Sequence, residues 1–210
     1  MVWSSAQPHS VDDMVHHAFG NDRDRLVAIW ARDTLGLAED LYHRKVLTIK
    51  DLEKPWAALA RWSGHSAATT ILLDDSHAKA ARQPYNHLCV SEYTRKQRQA
   101  DLAALQLQQL VHDAISQPEE THHHPTGELD NTLLAVIGIL HAVRLQSSIA
   151  GWLCAGALLS SSSSSSSSSQ REGDSDVAWF EDPVLVSLWA KRGREAMHSL
   201  GLQVDHGVEP

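Results

Sequence analysis

Three short stretches carry side chains whose chemistry fits together. Asp74 and Asp75 stand side by side at the end of the apolar run TTILL, Lys50 lies in TIKDL, and Ser4 closes the stub MVW. Adjacent carboxylates repel one another and are costly to desolvate unless a cation or a hydrogen-bond network shares them. In an open α/β sheet, ligands bind outside the carboxyl ends of the strands. A carboxylate pair there suits Mg²⁺, which takes one or two carboxylates and keeps several waters. A hydroxyl, a lysine and an acidic pair on separate βα connections suit a phosphoryl group: Ser4 and Lys50 bind its oxygens, and the metal neutralises charge. The plainer alternatives are a solvated first-turn lysine at Lys50, and a pair in which one Asp caps a turn while the other faces water. Ser5 takes the place of Ser4 if the strand runs one residue further.

Other reactive residue types read more simply. His122 to His124 precede a Pro-Thr-Gly turn in a polar loop, which favours a solvated loop over a zinc site. His112 and His141 fall on helical patterns as core or surface residues. Cys89, in the strand-like HLCV, reads as a small buried hydrophobe with no neighbouring base to mark it as a nucleophile. It lies far from Cys154 and forms no C-x-x-C with it, so neither a disulfide scaffold nor a zinc ribbon is suggested. The seven Trp, among them Trp30, Trp56, Trp62, Trp152, Trp179 and Trp189, mostly fall on apolar stripes, and core packing accounts for them.

The elements that must position these residues follow from periodicity. VDDMVHHAF puts Val11, Met14, Val15 and Phe19 on one helical stripe with Ser10 as N-cap. RLVAIWA (residues 25–31) reads as a short buried strand. KDLEKPWAALARW gives Leu52, Trp56 and Leu59 at helical spacing, with Pro55 in the first turn. TTILL is a buried strand. This alternation predicts an α/β fold with a parallel sheet. Beyond about residue 97 the pattern is helical: RQADLAALQLQQLVHDAIS is amphipathic, and GELDNTLLAVIGILHAVRLQSSIAGWL reads as a second long helix. Ten serines, 160–169, form a low-complexity linker. After it, Asp182 as N-cap and Pro183 at the first helical position start a C-terminal helix, expected to dock back on the domain, with a disordered tail as the alternative. The expected division is a core over 1–96, a helical part over 97–158, a Ser-rich linker over 159–177 and a C-terminal helix over 178–210.

The 210 residues suffice for one domain with a sizeable core. A formal net charge of −8, with no basic cluster beyond KRGR at 191–194, argues against a nucleic-acid surface. The longest apolar run, LLAVIGIL, is too short to span a bilayer. An intracellular location is expected, with nucleus, cytoplasm and mitochondrion unresolved.

The order of Ser at a strand end, then KDL, then LLDDS resembles the haloacid-dehalogenase-like phosphatases of the FCP1 homology, or NIF, type. That family has a Ser or Thr after a strand, a Lys in KDL, and a D-D/N-S motif, which fall here on Ser4, Lys50 and Asp74-Asp75-Ser76. QPYNH (83–87) is similar to the P-x-N after the family's last motif, and the region around WFEDPVLVSLWAKRGREA is similar to the tail of fungal members. The resemblance implies a HAD-like Rossmannoid parallel sheet with a C-terminal helical extension. It also implies Mg²⁺ as cofactor and phosphoserine or phosphothreonine proteins as substrates. Ser4 and Lys50 become phosphate ligands, Asp75 a metal ligand, and Asp74 its partner in the metal site with a supporting role towards Lys50.

In that family the chemistry begins with D-x-D-x-(T/V) at the end of the first strand, where the first Asp is the nucleophile and the second the general acid/base. No stretch here takes that place. Asp22 to Asp24 (DRD) follow no strand, and Asp174 to Asp176 (DSD) lie in the polar linker. The resemblance puts that strand in the middle of the sheet, so the sheet is expected to be incomplete and the chain inactive as written. An incomplete product with an upstream start is favoured over a degenerate paralogue, because Lys50, Asp74 and Asp75 are present. The competing expectation is a non-catalytic binding module, since the same domain resembles the presequence-receiving subunit of the mitochondrial inner-membrane translocase.

Overall fold

The computed structural model describes residues 1–60, 64–115, 129–159 and 178–204. Trp62, His122 to His124, the serine tract, Asp174 to Asp176 and the last six residues lie outside them, as does the side chain of His112.

The chain opens with β1 (Val2–Trp3), followed by α1 (Pro8–Phe19), a 3-10 turn over Gly20–Arg25 and β2 (Ile29–Trp30). β1 and β2 pair in parallel, Val2 opposite Ile29 and Trp3 opposite Trp30. Pro8 sits at the start of α1, where its missing N–H costs nothing and its fixed φ suits the helix. Ser10 therefore lies inside the helix and is not its cap. Only Val11 and Val15 of the expected stripe are buried, packed against Ala31, while Met14 and Phe19 are exposed. The strand expected over 25–31 shrinks to two residues because the preceding 3-10 turn takes up Arg25. Just beyond β2, the buried guanidinium of Arg32 donates to the carbonyls of Ser5, Leu41, Tyr42 and Arg44, gathering three connections around one side chain.

After α2 (Glu39–Tyr42), an extended segment carries Lys50 into α3 (Glu53–Leu59), whose first turn accommodates Pro55. A parallel pair follows: β3 (Leu72–Asp74) and β4 (His87–Cys89), in register Leu72 to His87, Leu73 to Leu88 and Asp74 to Cys89. Asn86, buried just before β4, donates to the carbonyls of Ala67 and Thr70 and so pins the approach to β3. That approach is irregular, and the strand begins at Leu72 rather than Thr69.

The helical part comprises α4 (Arg95–Ile115), α5 (Thr132–Val143), α6 (Ile149–Cys154) and α7 (Pro183–Ser199). The long helix expected through residue 153 is two helices. The chain leaves α5 at Arg144, and Ser148 then caps α6 by accepting from the Gly151 N–H. Asp182 caps α7 as expected, accepting from Val184 and Leu185 N–H groups. α7 lies across α5 at glycine contacts. A Cβ on Gly193 would fall 1.9 Å from the Leu134 carbonyl oxygen, and one on Gly138 would fall 2.1 Å from that of Trp189. The largest core joins this helix pair to β4 through Leu88, Leu134, Ile139, Trp179 and Trp189. Trp179 Nε1 donates to the Cys89 carbonyl oxygen at 2.8 Å, tying the C-terminal segment to the second sheet.

The result is a mixed α/β structure with two separate two-stranded parallel sheets, not one sheet, among the described residues. Among the described residues, β1 and β3 each have a strand partner on one side only. Both contribute to the wall of a cleft of about 410 Å³, through Met1 and Trp3 on one side and Ile71, Leu72 and Leu73 on the other. Trp3, Leu35 and Leu52 form a small core with Trp30, Trp56 and Leu72 packed around them, and Trp3, Leu52, Trp56 and Leu72 also line the cleft.

Candidate functional site

Lys50 and Asp74 meet because two backbone anchors fix their segments. The Lys50 N–H donates to the Lys79 carbonyl, and Gln83 grips the following residues, accepting from the Leu52 N–H and donating to the Asp51 carboxylate. Asp74 ends β3, and its carbonyl accepts from the Val90 N–H at 3.2 Å. Buried Lys50 Nζ then lies 2.6 Å from Asp74 Oδ2. Asp74 Oδ1 accepts from the Ser76 N–H at 3.1 Å, an Asx turn that redirects the chain into a 3-10 helix over His77–Ala80.

That turn delivers a lysine the sequence reading missed. Lys79 Nζ lies 2.9 Å from Asp74 Oδ1 and 2.9 Å from Asp75 Oδ1. Its four-residue offset from Asp75 was the one available signal, and HAKAARQ otherwise reads as a solvated helical surface. The adjacent carboxylates are thus shared by two ammonium groups. Burial alone would raise the Asp74 pKa, but hydrogen bonds from Lys50 and Lys79 outweigh it and hold the group down to about 2. Lys79 loses by burial and gains more from Asp75 and Asp74, ending above the ordinary lysine range.

The expected ligands divide into two sets. Lys50, Asp74 and Asp75 come together through Lys79. Ser4 lies at the end of β1, on the other sheet, where its N–H donates to the Trp30 carbonyl and its Oγ accepts from the Ala6 N–H at 3.2 Å. Among the described residues no hydrogen bond joins Ser4 to the acidic pair, but Trp3 beside it and Lys50 both line the cleft. Asp22 and Asp24 sit exposed in the 3-10 turn after α1, away from any strand end.

Of the two carboxylates, Asp75 is the one that could hold a divalent cation. Its carboxylate is 45% exposed and engages Lys79, whereas both Asp74 oxygens are taken by Lys50, Lys79 and the Ser76 N–H. Mg²⁺ needs only one or two carboxylates and completes its shell with water and phosphate oxygens. The four charges cancel, two ammonium groups against two carboxylates. A dication and a phosphoryl dianion entering together preserve that balance, and either alone upsets it.

Near this cluster, Cys89 is buried as expected, and burial pushes its thiol up. It is not isolated from bases, however: His77 and His87 approach it, which the sequence reading did not foresee. Burial pushes the His87 imidazole down, and Nε2 donates to the Asp74 carbonyl at 3.1 Å.

No helix among the described residues is long and apolar enough to cross a membrane. A comparison with curated proteins finds similarity to an uncharacterized FCP1 homology domain-containing protein of Schizosaccharomyces pombe, 34% identical over 105 residues. The match covers 46% of this chain and 42% of that protein, so the chain spans less than half the length of its relative. No solved structure matches. The model of the NLI interacting factor-like phosphatases matches residues 1–122, a stretch that holds both sheets and the whole Lys50–Asp74–Lys79–Asp75 cluster, and the chain belongs to that family.

Proposed function

We propose that these residues are the phosphate- and metal-holding part of a Mg²⁺-dependent phosphatase site for phosphoserine or phosphothreonine in proteins. The nucleophilic carboxylate is supplied on a strand that enters the cleft between the two sheets. The observation that carries this reading is the pairing of β1 and β3 on one side only, with both walling the same cleft and Lys50 in that wall. A parallel strand between them would satisfy backbone groups that otherwise lack a ladder partner. Its C-terminal end would arrive where the ends of β1 and β3 place Ser4 and Asp74.

Each residue has a role in this reading. Ser4 and Lys50 bind phosphoryl oxygens, Asp74 holds the Lys50 ammonium in place, and Asp75 binds Mg²⁺, which supplies charge neutralisation on the phosphoryl group. Lys79 keeps the two carboxylates together when the site is empty. Without a nucleophile, the 210-residue chain binds but does not turn over.

The test compares the chain as given with the same chain carrying an N-terminal apolar strand that ends in D-x-D-x-T, both assayed with a phosphoserine peptide and Mg²⁺. The chain alone is expected to be inactive and the extended chain active, with Asp75→Asn in the extended chain abolishing the Mg²⁺-dependent turnover. Mg²⁺-dependent turnover by the chain alone would overturn the reading. So would an extended chain that folds without acquiring activity.

A further inference from the structure

We propose that His77, His87 and Cys89 form a binding site for a borderline-soft divalent cation, zinc in the first instance, separate from Asp75 and independent of the phosphatase reading. The three side chains offer two imidazole nitrogens and a sulfur, all within 4.8 Å of one another.

The fold brings them together through simple geometry. His87 and Cys89 are alternate residues of β4 and so project from the same face of the strand. The turn after Asp74 carries His77 back over that face, where its ring meets His87 edge-on at 5.1 Å between centroids. His87 and Cys89 are buried, while His77 is exposed.

The donor set selects the metal. Imidazole and thiolate suit zinc, whereas Mg²⁺ requires oxygen ligands. Zinc bonds of about 2.1 Å to nitrogen and about 2.3 Å to sulfur place tetrahedral ligand atoms roughly 3.5 Å apart. Closing the present cluster therefore needs movements of up to the order of an ångström among the three side chains, of which His77 is the exposed one. The Asp74 carbonyl can only accept, so its contact with His87 Nε2 puts the proton there and leaves the lone pair on Nδ1. An imidazole anchored through its second nitrogen to a carbonyl is the usual outer-shell support of a metal-binding histidine. Three protein ligands leave a fourth position for water on the exposed side.

The site would staple the turn after Asp75 to β4. Lys79, which holds both carboxylates, lies in the same 3-10 helix as His77, so occupancy would stiffen the frame of the acidic pair.

The test is a Co²⁺ titration of the full chain followed by displacement with Zn²⁺. The background carries His122→Ala, His123→Ala, His124→Ala and Cys154→Ser, because the histidine run and the exposed thiol would compete. The expected result is one equivalent of tetrahedral Co²⁺ with a thiolate-to-metal charge-transfer band. His77→Ala, at an exposed position, should weaken binding by about tenfold or more. Cys89→Ser should remove the charge-transfer band. Absence of the band in the background protein would overturn the proposal, as would an affinity unchanged by His77→Ala.

Discussion

Lys50 Nζ lies 2.6 Å from Asp74 Oδ2, and the two side chains keep only 7% and 4% of their surface exposed. Removing Asp74 strands the buried Lys50 charge in a low-dielectric interior, whereas removing Lys50 leaves Asp74 paired with Lys79 and the Ser76 N–H. Asp74→Ala is expected to cost about 3 kcal/mol, and Lys50→Met less, because Lys79 still pairs with Asp74. The double variant Lys50→Met/Asp74→Leu should cost much less than the sum, because it strands neither charge. Urea unfolding of the four proteins measures the coupling. Additive losses would mean that the two side chains contribute separately.

Acid should loosen the same region in a defined interval. Asp74 titrates near 2 in the folded chain against an ordinary 3.8, so the unfolded state binds more protons between those values. The stabilisation is complete above about pH 4, falls as pH drops towards 2, and amounts to roughly 2 kcal/mol. Unfolding free energies measured across that range should show this fall, and in Asp74→Asn the component should be missing. An unchanged acid limb in that variant would show that other carboxylates account for the acid sensitivity.

Gly193→Ala separates helix propensity from packing. Alanine in mid-helix ordinarily gains about 1 kcal/mol over glycine. Here the added Cβ would lie 1.9 Å from the Leu134 carbonyl oxygen, so α5 and α7 must part. The net result should be a loss of about 2 kcal/mol, read as a lower urea midpoint. Gly64→Ala, where a Cβ meets nothing within 4 Å, serves as the near-neutral control.

Much of the site was legible because its chemistry is local. TTILLDD announces a strand ending in charge, and Asp182-Pro183 announces a capped helix, each within a few residues. What escaped depends on where a turn goes. Lys79 and His77 acquire their partners because Ser76 N–H bonds Asp74 Oδ1 and bends the chain back, and no hydropathy pattern encodes that return. The break between α5 and α6 escaped for a different reason. Apolar periodicity runs through LHAVRLQSSI without a Gly or Pro to mark the stop, and the Ser148 cap that starts α6 is one of two adjacent serines. The extent of β2 was over-read because LVAI is as apolar as a strand, although Leu26 serves to end the 3-10 turn. The separation into two sheets could not be read from any one strand, since it is a property of which edges find partners.

The Trp179 indole bonded to the Cys89 carbonyl, the buried glycine crossing of α7 on α5 and the Arg194 to Asn131 hydrogen bond all join residues distant in sequence. The covalent path between Leu159 and Ala178 is thus not what keeps the last helix in place. A protein nicked anywhere along that path would behave as two chains forming one folded body, with the C-terminal fragment as a tightly held subunit of the first.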